Sequence, residues 1–229
     1  MDNSDKSTLK IAGNNSKIKN LATWLKSEGL VKYKNQVKCL DLPAGYTCPC
    51  ANLCYAYSDR ITGKLTKGDS CIFTCYATKA ESQYPSVRKA RWFNYELLLN
   101  CTSDTEILNL LQLSLPKNLK YLRLHSSGDI FSKKYFKALC QLAKNNPELV
   151  IFGYTKILNY VTADKPDNFK LVYSYGGKMD NKHDSTIPTC YVDSNVESAR
   201  CDVVCQGKDA DYQDFIKIMK QKSFSIIVH

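Results

Sequence analysis

The sequence contains no apolar run of the roughly 20 residues that a membrane-spanning helix requires. Its first residues are polar and lack the apolar stretch of a secretory signal. No Cys-x-x-Cys pair is present, although zinc ribbons usually carry that spacing. Helix-turn-helix, zinc-finger and aromatic RNA-binding patterns are also missing. These absences predict a cytoplasmic protein with no membrane span and no standard nucleic-acid-binding module.

Histidine is scarce and lysine is abundant. The chain has three histidines, and 32 basic residues against 22 acidic ones give a net charge of +10. The lysines are scattered along the chain, which is typical of a solvated surface. A weak, salt-sensitive attraction for nucleic acid or another polyanion is the alternative.

Cysteine is the compositional outlier, with eleven residues in 229. The odd number and the missing export signal favour metal ligation over disulfides. Two groups of cysteines lie close together in the sequence: Cys48, Cys50, Cys54, Cys71 and Cys75 in the N-terminal half, and Cys190, Cys201 and Cys205 near the C-terminus. Four thiolates suit either tetrahedral zinc or an iron–sulfur cluster. The three-residue gaps and long intervening loops favour a 4Fe–4S cluster, with zinc as the alternative.

The apolar patterning predicts an α/β fold. Residues 1–16 are predicted to be a flexible N-terminus and residues 17–229 a single metal-binding domain, helical and cysteine-rich over 17–117. Helices are expected over 20–29, 85–100 and 104–115, with a helical piece over 55–60 inside a cysteine-rich loop. Residues 118–229 alternate strands with helices, including 131–146, 196–201 and 210–222. Repeated β-α-β units of this kind form a mostly parallel sheet or a partial barrel.

Polar and glycine-rich residues follow the predicted strands. Ligands of parallel α/β proteins bind at the carboxyl ends of the strands, so these residues are candidates for a site. They are His125, Ser127, Gly128, Asp129, Tyr154, Lys156, Gly176, Gly177 and His229. Asp129 is predicted to anchor a cationic ligand group, or alternatively to cap the following helix. Lys156 is predicted to anchor an anionic group or to be solvated, and His125 or Tyr154 to donate a proton. Gly176 and Gly177 are predicted to bind a cofactor.

Several segments in a fixed order resemble the gene product 88-like proteins of bacteriophages. They are LDLPAGYTCP (40–49), Cys54, CYA (75–77), YPSVRKARWFNYELL (84–98), RLHSSGDIFSKKYF (123–136), FGYTK (152–156), PDNFKLVYSYGG (166–177) and IIVH (226–229). The resemblance extends from about residue 14 onward and implies a viral protein that acts in a host cytoplasm. The family is largely uncharacterised, so the resemblance implies little about a reaction.

The family pattern also ranks the cysteines. It implies that Cys48, Cys54 and Cys75 are ligands, whereas Cys50 and Cys71 look like additions in this chain. The predicted fourth ligand is Cys205, with Cys50, Cys71, Cys201 and His229 as alternates. Three protein ligands alone would leave one iron open to substrate or solvent.

A more distant similarity is to radical S-adenosylmethionine enzymes, which hold an open-iron cluster at the mouth of a partial barrel. Ser127-Gly128-Asp129 stands where their glycine-rich acidic motif binds the cofactor, but the chain lacks their Cys-x3-Cys-x2-Cys motif. This similarity implies a cofactor-binding role for Ser127 and Gly128 and concerns architecture only.

Three functions follow as hypotheses. The first is a viral iron–sulfur protein, a redox or radical-type enzyme acting on a small molecule. The second is a zinc-stabilised binding module that contacts host nucleic acid or a host protein. In the third, the cysteines are structural thiols without a metal, although such clustered thiols oxidise readily.

Overall fold

The structure of the chain is a computed structural model that describes residues 7–13, 15–193, 199–201, 203–205 and 210–227. The predicted ligand His229 and part of the predicted helical stretch 196–201 lie outside these residues. The predicted flexible N-terminus is described only in part, over 7–13 and from 15 onward.

A mostly parallel sheet of eight strands forms the centre of the described residues. Its members are β1 (Ile11–Ala12), β2 (Val37–Leu40), β5 (Tyr121–Leu124), β6 (Val150–Thr155), β7 (Phe169–Ser174), β8 (Thr189–Asp193), β9 (Val204–Cys205) and β10 (Phe224–Ile227). The strand order is β1-β2-β5-β6-β7-β8-β10-β9, and only the β1–β2 pair is antiparallel. In the described residues the sheet is open, with β1 and β9 at its edges, and it does not close into a barrel.

Helices cover both faces of this sheet. They are α1 (Ser16–Ser27), α2 (Tyr76–Gln83), α3 (Pro85–Leu99), α4 (Asp104–Ser114), α5 (Lys133–Asn145), α6 (Leu158–Thr162) and α7 (Ala210–Met219). Side chains alternate between the faces along a strand: Ile151 joins the core cluster beneath α4 and α5, and Phe152 joins the cluster beneath α1 and α7. A parallel sheet needs this double cover because both of its faces are apolar.

Two N-terminal segments differ from the predictions. Ile11–Ala12 pairs with Cys39–Leu40 as β1, and Leu9 is buried, so part of the range predicted to be flexible joins the sheet. Residues 56–58, predicted to be helical, form β3 (Ala56–Ser58), which pairs with β4 (Leu65–Lys67) in a separate antiparallel hairpin. Ala56 and Ser58 are buried and Tyr57 between them is half-buried, an alternation that suits a strand.

No helix of the described residues is both long and apolar enough to cross a bilayer.

Candidate functional site

The connection between β2 and β5 carries the N-terminal cysteines across the carboxyl ends of the strands. We call residues 43–75 the cysteine segment. Just before it, Leu42 N donates to Ser127 O at 2.9 Å. Within it, Leu53 N donates to Gly176 O at 3.0 Å, and Cys50 O accepts from Lys178 N at 2.9 Å. These backbone bonds hold the segment against the residues that follow β5 and β7.

Glycines at the strand ends permit this close approach. Gly128 has a φ of +89°, and a Cβ there would lie 2.4 Å from Thr47 Oγ1 and 2.8 Å from Leu42 Cβ. A Cβ at Gly177 would lie 3.0 Å from Cys50 O. Gly176, with a φ of +93°, allows the turn that presents its carbonyl to the segment. The glycines predicted to bind a cofactor therefore contact the cysteine segment.

Ser127 and Asp129 are buried and also support the segment. Ser127 Oγ lies 2.8 Å from Leu42 O and 3.0 Å from Glu81 Oε1. Asp129 accepts from Ile130 N at 2.6 Å through Oδ1 and from Lys156 N at 2.9 Å through Oδ2. Burial raises the pKa of Asp129. The cap of α5 is Ser132, which accepts from Tyr135 N, so the predicted capping role of Asp129 is wrong.

Lys156 is a buried cation at the end of β6. Its Nζ donates to Ser174 O at 3.0 Å, Ser174 Oγ at 3.1 Å and Tyr175 O at 2.9 Å. An ammonium group has three N–H donors, and these three acceptors match them. The positive charge of Lys156 acts on the neighbouring Cys54 thiol. The alternative that Lys156 is solvated is wrong, since its exposed fraction is 8%.

The two predicted proton donors lie on opposite faces of the sheet. His125 Nε2 lies 3.0 Å from Tyr135 Oη of α5, and burial lowers the pKa of His125 to about 3. Tyr154 packs on the other face and donates from Oη to Asp214 of α7. Burial raises the pKa of Tyr154 well above its usual value. The structure does not bring these two residues into one site.

Burial and charges at other cysteines of the segment raise the pKa of Cys48 and of Cys54. Burial raises the pKa of Cys48, and negative charge at Asp129, Cys75 and Cys54 raises it further. Burial also raises the pKa of Cys54; Lys156 lowers it, whereas Cys75 and Cys71 raise it.

Cys50 also belongs to the cysteine segment. Burial and Asp129 raise the pKa of its thiol, and Lys178 lowers it.

The predicted fourth ligand lies elsewhere. Cys205 is on the edge strand β9, fully buried in the core cluster beneath α1 and α7. Burial raises the pKa of Cys205 to about 11, and Asp214, Lys217 and Cys201 are the charges that act on it. The structure does not bring Cys201 and Cys205 to the thiols of the cysteine segment.

The described side chains do not form a site for a metal ion. No three cysteine, histidine, aspartate or glutamate side chains within the described ranges are placed to hold a metal ion. One zinc ion must contact four ligands, with each sulfur about 2.3 Å away. An iron–sulfur cluster binds each cysteine through a different iron, so its ligands converge less tightly.

A buried ionic network beneath the segment was missed by the sequence analysis. Asp41 Oδ1 accepts from Ser126 N at 2.7 Å and Ser127 N at 3.2 Å. Glu81 Oε1 accepts from Ala44 N at 2.9 Å and pairs with Arg91 at 2.8 Å. Arg91 also lies 3.8 Å from Asp41. Charged residues on predicted helices usually face solvent, so no signal in the sequence marked this network.

Comparisons with known proteins concern the family rather than the site. A family model described as Gene product 88 matches residues 7–224. The Gene 88 protein of Mycobacterium phage L5 is 28% identical over 115 residues, which cover 45% of this chain and 48% of that relative. The Gene 88 protein of Mycobacterium phage D29 is 27% identical, with the same coverage. The chain spans about half the length of these curated relatives. No solved structure matches it, and the distant similarity to radical S-adenosylmethionine enzymes gains no support.

Proposed function

The chain belongs to the gene product 88 family, and we propose that this bacteriophage protein binds an iron–sulfur cluster and acts as a redox protein in the host cytoplasm. Cys48, Cys54 and Cys75 would hold the cluster over the carboxyl ends of β5, β6 and β7. The observation that carries the proposal is that backbone hydrogen bonds seat the segment bearing these three cysteines against the residues that follow β5 and β7, beside the buried side chains of Asp129 and Lys156.

A bound metal would change the charge of these thiols. Metal ligation requires deprotonated cysteines, and burial raises the pKa of both Cys48 and Cys54. Thiolates crowded in a poorly solvated place repel one another, so a bound cationic centre is what makes them favourable together. Lys156 contributes part of this compensation through its positive charge beside Cys54.

Electron transfer is favoured over a small-molecule reaction at the strand ends. A bound cluster supplies a one-electron redox centre. The donors of Lys156 are engaged by Ser174 and Tyr175, and both carboxylate oxygens of Asp129 accept backbone N–H groups. These contacts hold the cysteine segment in place and leave the predicted anchoring groups committed to the protein itself.

The alternative remains a zinc-stabilised module that binds host nucleic acid or a host protein. The net charge of +10 favours a polyanionic partner. Zinc would require four ligands to converge on one ion, whereas a cluster would require its ligands to bind separate irons. Metal analysis separates the two functions.

The test begins with protein purified without oxygen. Iron, acid-labile sulfide and zinc are measured on one sample, together with the visible absorption before and after dithionite. We expect iron and sulfide in equal amounts and an absorption that bleaches on reduction. Stoichiometric zinc without sulfide would replace the redox function with the binding module, and absence of both metals would leave structural thiols.

Single substitutions then locate the ligands. Cys48→Ser, Cys54→Ser and Cys75→Ser are each expected to lower the iron and sulfide content, because each removes a thiolate ligand. Cys140→Ser is the matched control, since Cys140 lies on α5 away from the segment. Circular dichroism of each variant checks that loss of iron is not loss of fold. Full iron and sulfide in all three ligand variants would contradict the assignment.

A further inference from the structure

We infer that a groove at the amino ends of β2, β5 and β6 binds single-stranded nucleic acid. The groove lies at the edge of the sheet opposite to the cysteine segment, which crosses the carboxyl ends of the strands. Binding there goes beyond the proposed redox function and involves no metal. The two activities can therefore be tested separately.

Two adjoining cavities of about 350 and 440 Å³ form the groove. Asn118 and Leu119, which precede β5, line both of them. The first cavity extends to Leu149, just before β6, and the second extends to residues 32–36, just before β2. The loops before these strands meet at one edge because β2, β5 and β6 are parallel neighbours. A chain-like ligand can therefore occupy both cavities.

Hydrogen bonds of Gln36 fix the two loops that form the second cavity. Gln36 Oε1 accepts from Lys32 N and from Tyr33 N, both at 2.8 Å. Its Nε2 donates to Asn118 O at 3.3 Å, and its backbone O accepts from Lys120 N at 2.9 Å. The loop before β2 is thus bonded to the loop before β5. The groove exists before a ligand arrives, so binding does not have to order it.

The lining of the groove is basic. Lys32, Lys117 and Lys120 contribute to it, and Glu148 is the one carboxylate among the described residues that line the two cavities. Glu148 pairs with Lys120 at 3.2 Å, but its side chain is 85% exposed. Such an exposed pair is weak, so a phosphate group can compete for Lys120. The excess of positive charge attracts a polyanion, in keeping with the net charge of +10.

Tyr33 supplies an aromatic surface in the same groove. Its exposed fraction is 56%, which is large for an aromatic residue, and Lys32 Nζ lies 5.3 Å from the centroid of its ring. Proteins that bind single strands combine a positive groove, which follows the phosphates, with aromatic rings on which bases stack. The bases of a duplex are already stacked on one another and offer no free face to Tyr33. This combination favours a single strand over a duplex.

The test measures the binding of labelled oligothymidylate and oligouridylate of about ten nucleotides by fluorescence anisotropy at several salt concentrations. We expect the logarithm of the association constant to fall against the logarithm of salt concentration with a slope of about −2, because each of three lysines releases about 0.7 of a counterion from a single strand. The double variant Lys32→Gln and Lys117→Gln should flatten this slope to about −0.7. Tyr33→Ala should weaken binding about fivefold or more and leave the slope unchanged.

Matched controls separate the groove from the general charge of the protein. The double variant Lys133→Gln and Lys137→Gln removes the same charge from exposed positions of α5. Tyr84→Ala removes a tyrosine that is also 56% exposed, just before α3. We expect both controls to bind as wild type does. Circular dichroism checks that every variant is folded.

The other outcomes are also informative. Equal losses of affinity in the groove variants and in their controls would mean that net charge alone attracts the strand, and the groove would not be a site. Tighter binding of a duplex than of a single strand would refute stacking on Tyr33. No binding of either oligonucleotide would overturn the inference, whereas binding of one of them would assign the groove to DNA or to RNA. None of these results depends on iron, sulfide or zinc, so failure here leaves the redox proposal untouched.

Discussion

Replacing Arg91 by methionine should destabilise the protein far more than replacing an exposed cation. The Arg91 guanidinium lies 2.8 Å from Glu81 Oε1, donates to Ala77 O at 3.0 Å and lies 3.8 Å from Asp41 Oδ2. The side chains of Arg91 and Glu81 are 9% and 0% exposed. Removing one partner of a buried ion pair costs about 3 to 5 kcal/mol, because the remaining charge is left uncompensated.

The matched control is Lys120→Met. Lys120 pairs with Glu148 at 3.2 Å, and their side chains are 41% and 85% exposed. Exposed pairs of this kind contribute about 0 to 1 kcal/mol. Urea unfolding, followed by circular dichroism and by tryptophan fluorescence, measures both variants. If Arg91→Met lowers the free energy of unfolding no more than Lys120→Met does, the network does not support the fold as described.

The pH dependence gives a second check on the same variant. Burial raises the pKa of Glu81 and of Asp41, and Arg91 lowers both. A carboxyl group whose pKa is higher in the folded state stabilises the fold below its unfolded pKa, and this contribution is lost as pH rises through the folded value. Without Arg91 both pKa values rise further. The deficit of Arg91→Met should therefore shrink as pH falls from 7 towards 5, and a deficit that grows would refute the reasoning.

Two further predictions concern strand-end residues. Gly128→Ala should lower the free energy of unfolding by about 2 to 4 kcal/mol, because the φ of Gly128 is +89° and the new Cβ would overlap Thr47. Gly29→Ala is the control, since Gly29 has a φ of +70° and nothing lies within 4 Å of the new Cβ. It should lower the free energy of unfolding by only about 1 kcal/mol. If Gly128→Ala and Gly29→Ala lower the urea midpoint equally, the cysteine segment does not pack closely against Gly128. Burial lowers the pKa of His125 from 6.5 to about 3, so its stabilising contribution is present above pH 6.5 and is lost as pH falls. Relative to His125→Phe, wild type should lose up to about 1.4 kcal/mol per pH unit below 6.5, and parallel pH profiles would contradict a buried neutral imidazole.

The sequence predicted the helices and strands whose ends are marked by residues close to them in the chain. The helix expected over 104–115 is α4, Asp104–Ser114, whose cap Ser103 accepts from Glu106 N. Its end is set by Pro116, two residues beyond the helix. The parallel strands after residue 118 were predicted because each is a short apolar run bounded by polar or glycine residues. These signals lie within a few residues of the element they specify.

The site depends on contacts between residues far apart in the sequence, which local sequence patterns do not reveal. Thr47 Oγ1 accepts from Asp129 N at 3.3 Å, across 82 residues of sequence. The glycines after β5 and β7 allow the cysteine segment to approach closely. The sequence alone does not distinguish a glycine that contacts a cofactor from one that contacts another part of the backbone. Likewise, Arg91 and Glu81 read as ordinary charges on amphipathic helices. Only the fold shows that the polar residues at the strand ends contact the segment that carries the cysteines.

The strand order has a consequence for the order in which the chain can assemble. β10 follows β9 in the sequence but lies between β8 and β9 in the sheet. During synthesis β9 leaves the ribosome first and has no strand to pair with until residues 224–227 emerge. The thiol of Cys205 therefore stays outside the core during that interval, whereas Cys48, Cys54, Cys71 and Cys75 can already meet β5, β6 and β7. In a growing chain, the cysteine segment can reach its native surroundings before the far edge of the sheet exists.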